Sequence, residues 1–286
     1  MPTVNSSMQG KICMVTGANS GIGKATALAL AQMGATVVMV CRDCARGEEA
    51  RREITTKSKN NAVDLLQADL SSQQSIHQLV EHFKQRYTHL HVLINNAGAS
   101  FPGRRETVDG LEMTLAVNYL APFLLTHLLL DVLKASAPAR IVNVSSGSHK
   151  AGYIKLDNLQ SKNPYGSMKV YGQAKLAVVL FTYELARHLE GTGVTVNCLH
   201  PGFVATHFGQ KDAGPAFGLL VKVIGSFGTS PEKGAKTSIF LASSPEVEGV
   251  TGNYFVKSMP RRSAAISYDE SLQRQLWEQS VKLVNV

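Results

Sequence analysis

The sequence predicts an α/β fold in which one parallel β-sheet of about seven strands is covered by helices on both faces. Short runs rich in Val and Ile, without polar alternation, indicate strands that are buried on both sides. Longer stretches with helical spacing alternate with these runs, which predicts right-handed crossovers between parallel strands. A glycine-rich turn joins the first strand to the first helix, as in a doubly wound, Rossmann-type sheet.

Strands and helices follow from this alternation. The predicted strands are Lys11–Thr16, Thr36–Cys41, Val63–Ala68, His91–Asn95, Arg140–Ser145, Val194–Leu199 and Asn253–Val256. The predicted helices are Gly21–Met33, Cys44–Lys57, Ser72–Tyr87, Leu111–Leu133, Lys169–Leu189 and Pro231–Leu241. No linker, repeat or low-complexity segment interrupts the pattern, so we predict one domain that spans residues 1–286.

Composition and charge exclude several classes of protein. The net charge is +8, but the basic residues are scattered, which argues against a nucleic-acid partner and suits an anionic cofactor. Residues 1–11 contain no apolar run, so no signal peptide is expected. The most membrane-like stretch, Leu115–Leu133, includes Asn118 and Pro122, which favours a buried helix over a membrane span. We therefore predict a cytoplasmic location.

The four cysteines give no metal signature. Cys41 and Cys44 have Cys-x-x-Cys spacing, but there is no second pair of this kind. Cys13 and Cys198 fall inside apolar, strand-like runs. We therefore predict reduced thiols and no metal site.

The glycine-rich turn is the first candidate binding site. Glycine allows a tight turn and a close approach of the backbone to a pyrophosphate, and the following helix offers free N–H groups. The residues predicted to bind the cofactor here are Gly17, Asn19, Ser20, Gly21, Ile22 and Gly23. The Gly-x-x-x-Gly-x-Gly spacing differs from the more common Gly-x-Gly-x-x-Gly, so a plain strand-to-helix turn remains the alternative.

The ends of the next strands indicate which dinucleotide binds. Arg42 follows the second strand, where a guanidinium can hold a 2′-phosphate, and this favours NADP(H) over NAD(H). Asp43 occupies the place of an NAD-binding acid, but we interpret it as the N-cap of the next helix. Further cofactor contacts are predicted at the ends of the third and fourth strands: Asp69, Leu70, Asn96, Ala97 and Gly98.

Two Tyr-x-x-x-Lys pairs are the candidates for acid/base chemistry. Tyr171 and Lys175 lie at i, i+4 near the start of an apolar helix, so both side chains are expected on one face. Tyr165 follows Pro164 and is expected in the loop that enters this helix, which leaves Lys169 without a helical partner. The pair Tyr171 and Lys175 is therefore predicted to be catalytic.

The motifs together resemble the short-chain dehydrogenase/reductase family. The matching segments, in family order, are Thr16–Gly23, Asp69-Leu70, Asn95–Gly98, Asn118, Val142–Ser146, Tyr171–Lys175 and His200-Pro201-Gly202. Four features are similar to the retinol dehydrogenase branch in particular: Cys41-Arg42-Asp43, Ser145-Ser146 followed by a long gap, Leu199–Gly202 and Ala242–Val250. This resemblance implies an enzyme that uses NADP(H) on retinoids and other apolar alcohols or aldehydes.

The resemblance also implies roles for single residues. Tyr171 is the acid/base, and Lys175 lowers its pKa and holds the nicotinamide ribose. Ser146, preferred over Ser145 on the family pattern, holds the reacting oxygen. Asn118 holds a water for proton relay, with a satisfied buried amide as the alternative. The remaining cofactor contacts implied are Pro201, Gly202, Val204 and Thr206.

Residues 206–230 form the long irregular insertion of the sequence. Their many apolar residues and glycines predict a lid over an apolar substrate, and a surface helix is the alternative. The same apolar face is compatible with peripheral membrane contact, and a homo-oligomer is compatible with the sequence. The competing functions are a reductase of sterols, sugars or small carbonyls, and a dinucleotide-binding scaffold without catalysis.

Overall fold

The computed structural model describes residues 7–162, 164–202 and 230–286. Its strands, in chain order, are β1 (Ile12–Thr16), β2 (Thr36–Cys41), β3 (Val63–Gln67), β4 (Val92–Asn95), β5 (Ala139–Val144), β6 (Val194–His200), β7 (Asn253–Val256) and β8 (Met259–Pro260). They form one sheet with the order β3-β2-β1-β4-β5-β6-β7-β8. All neighbours are parallel except β7 and β8, so the fold is the predicted doubly wound sheet with one short antiparallel strand added at its edge.

The strand order reverses at β1, which pairs with β2 on one side and with β4 on the other. The chain therefore leaves the carboxyl ends of β1 and β4 in opposite directions, and a crevice opens between them. Ligands of doubly wound sheets bind at such a switch point. The Val- and Ile-rich strands are buried on both faces, as their unbroken apolar runs predict.

The helices cover both faces of the sheet. They are α1 (Gly21–Gln32), α2 (Cys44–Ser58), α3 (Gln73–Arg86), α4 (Met113–Leu115), α5 (Ala121–Leu128), α6 (Leu130–Ala135), α7 (Ser167–His188), α8 (Pro231–Ser243) and α9 (Glu270–Val284). One apolar core lies between the sheet and helices α1, α2 and α8. A larger one lies between the sheet and helices α3, α5, α7 and α9.

The predicted helix Leu111–Leu133 is the main departure from the expected elements. The structure divides this stretch into α4, a π-helical turn at Ala116–Leu120, α5 and α6. The π turn places one extra residue in the helix, and such turns often occur at functional sites. The predicted catalytic-site residue Asn118 lies in the middle of it.

The other predicted elements agree with the structure to within two residues at each boundary, and β8 and α9 are additional. Ser230 caps α8, accepting a hydrogen bond from the Lys233 N–H. The predicted lid, residues 206–230, otherwise lies outside the described residues. No helix in the described part of the chain is long and apolar enough to cross a membrane.

Candidate active site

The glycine-rich turn leaves no room for a side chain at Gly23. The chain leaves β1 through Gly17, whose φ is +66°, and enters α1 at Gly21, whose φ is +55°. A Cβ atom added at Gly23 would lie 2.3 Å from the carbonyl oxygen of Gly17 and 2.5 Å from Asn96 Nδ2. Because those distances are shorter than van der Waals contact, glycine is required where the turn closes over the start of α1.

Thr16 fastens this turn to the end of β4. Its Oγ1 accepts hydrogen bonds from the N–H groups of Asn96 and Ala97, at 2.9 and 3.0 Å. Asn96 Nδ2 donates back to the Thr16 carbonyl at 2.8 Å. The two loops at the switch point are therefore one hydrogen-bonded unit. Thr16 was not among the predicted site residues, although a hydroxyl side chain directly before a glycine-rich turn is a signal for this role.

The start of α1 fits a dinucleotide pyrophosphate. The Ser20 side chain does not cap the helix, and no acidic residue lies in the first turn. The helix N-terminus thus offers backbone N–H donors and the positive end of its dipole to an anion. Asn19 and Ile22 lie half-buried in the same turn.

The end of β2 agrees with the interpretation of Asp43 as a helix cap. The Asp43 carboxylate accepts a hydrogen bond from the Arg46 N–H at 3.1 Å, at the N-terminus of α2. Arg42 is exposed beside it, and its carbonyl accepts a hydrogen bond from Gln67 Nε2. An exposed guanidinium at this strand end fits a 2′-phosphate, whereas the neighbouring carboxylate is engaged with the helix.

Asp69 and Leu70 lie beyond the end of β3, as predicted. Asp69 Oδ1 accepts hydrogen bonds from both the N–H and the hydroxyl of Ser71, at 2.9 and 2.7 Å. Leu70 is half-buried and packs against the larger apolar core. The Asp69 carboxylate therefore stabilises its own loop, which follows the carboxyl end of β3.

Three of the predicted catalytic side chains lie at the carboxyl end of β5 and the start of α7. Ser146 follows β5, and its hydroxyl is hydrogen-bonded to the hydroxyl of Tyr171 in α7. Ser145 faces away from this pair: it is buried and donates to the Lys175 carbonyl at 2.8 Å. Of the two serines, Ser146 is the one that the structure brings to the tyrosine.

Burial sets the electrostatics of the pair. It raises the pKa of Tyr171 to about 12, and the hydrogen bond from Ser146 opposes that increase. Burial also lowers the pKa of Lys175 from its usual 10.5 to about 8. The Lys175 ammonium donates to the Val144 carbonyl at 2.9 Å and lies over the Tyr171 ring. Among the protein groups, Ser146 is the one that lowers the Tyr171 pKa, and the joint effect of Lys175 and a nicotinamide stays a prediction.

Asn118 is satisfied on one side of its amide only. Its Nδ2 donates to the carbonyls of Ala99 and Thr114, at 2.6 and 2.8 Å. Its Oδ1 is buried and has no hydrogen-bond partner among the described residues. A Cβ atom added at Gly98 would lie 2.7 Å from this Oδ1 and 3.3 Å from Lys175 Nζ. Both polar atoms therefore face one small space, which is chemically suited to a bridging water.

The second Tyr-x-x-x-Lys pair does not form a site. Tyr165 precedes α7, and its hydroxyl lies 3.3 Å from the Phe101 carbonyl and 3.4 Å from Glu112 Oε1. Burial raises its pKa. Lys169 is exposed to solvent on α7. Tyr165 thus packs against the loop after β4, as expected for a residue outside the helix.

The loop after β6 approaches the turn that follows Ser146. His200 Nδ1 accepts a hydrogen bond from the Gly147 N–H at 3.0 Å. Pro201 and Gly202 follow, and the φ of Gly202 is +88°. The predicted contacts Val204 and Thr206 lie outside the described residues. In the described ranges no cluster of His, Cys, Asp and Glu has the arrangement of a metal site, and the four cysteines are unpaired.

Comparison with known proteins places these features in a wider context. The model of the family described as short chain dehydrogenase matches residues 11–214. Retinol dehydrogenase 14 of Homo sapiens is 46% identical, with 98% of this chain and 88% of that protein covered. Retinol dehydrogenase 13 of Homo sapiens is 43% identical, with 97% of this chain and 85% of that protein covered.

Solved structures are similar over most of their length as well. An uncharacterized protein from Mycobacterium Paratuberculosis has a TM-score of 0.80 and 29% identity, with 98% of this chain and 96% of that chain covered. The RhlG/NADP active-site complex of Pseudomonas aeruginosa has a TM-score of 0.70 and 26% identity, with 89% and 97% covered. The similarity therefore extends well beyond the glycine turn.

Proposed function

Since the chain belongs to the short-chain dehydrogenase family, in its retinol dehydrogenase-like branch, we propose that it is an NADP(H)-dependent oxidoreductase that interconverts an apolar alcohol and its aldehyde or ketone. The general activity of this family is oxidation and reduction with a nicotinamide dinucleotide. The choice of NADP(H), the apolar substrate and the residue roles are the specific parts of the proposal.

One arrangement carries the proposal. The hydroxyls of Ser146 and Tyr171 are hydrogen-bonded to each other, and Lys175 lies one helical turn further along α7. Asn118 Oδ1 and Lys175 Nζ meet at Gly98, at the carboxyl end of β4. A protein that only binds a dinucleotide has no need of a buried lysine and a paired serine and tyrosine at this place, because burying them costs free energy.

The chain's own groups account for the proton chemistry. NADP(H), when bound, supplies or accepts the hydride. Ser146 donates a hydrogen bond to the reacting oxygen and orients it. Tyr171, whose raised pKa keeps the phenol protonated at neutral pH, gives its proton to that oxygen during reduction. With a pKa of about 8, Lys175 is mostly cationic at pH 7 and stabilises the phenolate that remains.

Proton supply to Tyr171 is proposed to run through the polar space at Gly98. Asn118 Oδ1 and Lys175 Nζ lie within hydrogen-bond reach of one position there. A water held by both groups would connect the lysine with the loop after β4. The unpartnered amide oxygen supports this role for Asn118, because a buried acceptor without a donor is costly.

Two exposed apolar side chains support an apolar substrate. Met168 is 68% exposed and lies three residues before Tyr171 on α7, hence near the same helical face. Tyr153 is 64% exposed and follows Gly152, which packs closely on Gly172. One exposed apolar side chain thus lies a helical turn before Tyr171, and the other lies beside the contact with the neighbouring Gly172. The names of the similar retinol dehydrogenases point in the same direction.

A substrate series tests the function directly. NADPH oxidation is followed by absorbance with straight-chain aldehydes of increasing length, with retinal, and with a sugar and a small polar ketone. We expect kcat/KM to rise with chain length, because each buried CH₂ contributes about 0.8 kcal/mol. A flat series with polar ketones as the best substrates would replace the apolar class by a small-carbonyl reductase. If the protein binds the cofactor but turns over none of these compounds, it is a dinucleotide-binding scaffold without catalysis.

Peripheral membrane contact, a homo-oligomeric state and a cytoplasmic location remain predictions from the sequence. Each has its own measurement: vesicle sedimentation, light scattering and cell fractionation, respectively.

A further inference from the structure

We propose that His149 is a positioning residue for Ser146, and that it is held in one neutral tautomer by the chain segment before α9. This inference rests on the proposed function, because Ser146 is the residue that orients the reacting oxygen. His149 belongs to the 3₁₀ turn Gly147–Ala151, which begins directly after Ser146. It does not reach the reacting atoms itself.

The ring of His149 joins two backbone groups that are far apart in the sequence. His149 Nδ1 lies 2.7 Å from the Ser146 carbonyl oxygen. On the other side of the ring, Nε2 accepts a hydrogen bond from the Ala264 N–H at 3.1 Å. The ring is fully buried and packs against Tyr254, with 4.8 Å between the ring centroids.

These two partners determine where the ring proton is. A backbone carbonyl only accepts, so Nδ1 must carry the hydrogen in its bond to Ser146. A backbone N–H only donates, so Nε2 must be unprotonated toward Ala264. The neutral ring with hydrogen on Nδ1 is the one form that satisfies both groups. Burial favours the same form, since it lowers the pKa of His149.

The segment that fixes Nε2 is itself fastened to the catalytic helix. Ser263 precedes Ala264, and its hydroxyl is hydrogen-bonded to the hydroxyl of Tyr183 on α7 at 2.7 Å. Ser267 closes the segment through hydrogen bonds to the Ser263 hydroxyl and the Ala264 carbonyl, both at 2.6 Å. Because α7 also carries Tyr171, these contacts link the serine carbonyl to the helix of its catalytic partner.

The hydroxyl of Ser146 depends on the same turn. It accepts the Ser148 N–H at 3.2 Å, and so caps the turn that contains His149. His200 supports the turn from β6, since its Nδ1 accepts the Gly147 N–H. The charge of Lys150 adds to burial in lowering the pKa of His149, whereas the hydrogen bond to the Ser146 carbonyl opposes both. A shift of the His149 ring would therefore move the backbone of this turn, and with it the position of the Ser146 hydroxyl.

Three substitutions separate positioning from simple support. Asn places an amide donor near the Nδ1 position, Gln places an acceptor near the Nε2 position, and Phe keeps the ring volume with neither group. We expect H149N to retain kcat within about tenfold of the unchanged protein while its unfolding midpoint falls. We expect H149Q to keep more of the midpoint but to lose about 10- to 100-fold in kcat, as for a misplaced catalytic group. H149F loses both.

The matched controls are H77N, H77Q and H77F, at an exposed position of α3. They should leave kcat and the midpoint unchanged. Cofactor affinity, measured by NADPH fluorescence, should stay constant in all six variants, because His149 does not touch the glycine turn. If kcat simply follows the unfolding midpoint across the three His149 variants, the positioning role is wrong.

Ring ¹⁵N chemical shifts of histidine-labelled protein test the tautomer without any substrate. The expected result for His149 at neutral pH is a protonated Nδ1 and an unprotonated Nε2. A ring protonated on Nε2, or on both nitrogens, would overturn the proposal whether or not the protein is active. Absence of turnover in the unchanged protein would contradict the proposed function instead.

Discussion

Lys175 Nζ lies 5.7 Å from the centre of the Tyr171 ring and donates its hydrogen bond to the Val144 carbonyl at the end of β5. The lysine ammonium is thus held by the backbone of the strand. Lys175 is buried, and electrostatic interactions are stronger in such a setting than in water. Serine, tyrosine and lysine consequently depend on the packing of α7 against β5.

Replacing Tyr171 with Phe should stop proton transfer and leave the fold intact. We expect a loss of about 10²–10⁴-fold in kcat, the usual contribution of general acid–base catalysis, with unchanged NADPH affinity. The matched control is Tyr165→Phe, which removes a hydroxyl with only long hydrogen bonds to Phe101 and Glu112. Steady-state kinetics of both variants show which of the two Tyr-x-x-x-Lys pairs is catalytic. Normal turnover by Y171F, with an inactive Y165F, would reverse the assignment.

Lys175→Met should lower turnover without lowering the free energy of unfolding at neutral pH. The folded-state pKa of about 8 lies below the usual 10.5, so the buried charge destabilises the fold fully below pH 8. From pH 8 to 10.5 the folded lysine is neutral while the unfolded one is still charged. Over this window the unchanged protein should gain about 3 kcal/mol relative to K175M, from 1.36 kcal/mol per pKa unit.

Urea unfolding of both proteins at pH 7, 8, 9 and 10 measures this difference. At pH 7 the variant should be at least as stable as the unchanged protein. Removing the lysine abolishes the cost of burying its charge, and this gain equals or exceeds the loss of the hydrogen bond to the Val144 carbonyl, which is worth about 1–3 kcal/mol. A stability difference that does not vary with pH would contradict the lowered lysine pKa. Turnover of K175M should fall in parallel with that of Y171F.

Arg42→Ala should separate the two dinucleotides. If the guanidinium holds the 2′-phosphate, NADP(H) affinity should fall by about 1.5–3 kcal/mol, the usual range for a hydrogen bond to a charged group. NAD(H), which has no such phosphate, should bind almost unchanged. Fluorescence titration with both cofactors gives the comparison, and Arg86→Ala on the exposed end of α3 controls for loss of net charge. Equal losses for the two cofactors would exclude a phosphate contact.

Gly23→Ala should damage the cofactor site through the backbone. The added Cβ would lie 2.3 Å from the Gly17 carbonyl oxygen, which cannot move without opening the turn. NADPH binding should weaken at least tenfold, by a free energy of about 1.4 kcal/mol or more. Gly103→Ala is the control, because a Cβ there meets no atom within 4 Å. Unaltered cofactor affinity in G23A would mean that the turn does not bind the pyrophosphate.

Apolar runs made most of the sheet predictable. Thr36–Cys41 and Asn253–Val256 are strands with the bounds that the sequence indicates, since unbroken β-branched runs are strands covered on both faces. The two-residue strand β8 is too short to have a pattern. Helix α9 begins after the Asp269 cap and owes its place to the packing of Leu276 and Val284 on the larger core, a tertiary contact.

The site was predictable where spacing alone decides it. The i, i+4 spacing brings Tyr171 and Lys175 to one helical face, and the residues around the glycine turn lie where the motif places them. The direction of the tyrosine pKa was not predictable, since it depends on how deeply α7 is buried. His149 carried no motif at all, because its partner Ala264 lies 115 residues away in the sequence.

The π turn at Ala116–Leu120 limits how the chain can vary in length. The π turn accommodates one extra residue, so deleting one residue here would restore regular α-helical winding and change which side chains this turn directs at its neighbours. Asn118 would leave the space at Gly98, while Tyr119 would lose its 2.6 Å hydrogen bond to Ser280 of α9. Natural or engineered variants of this enzyme should therefore tolerate length changes in the surface loops and none within these five residues.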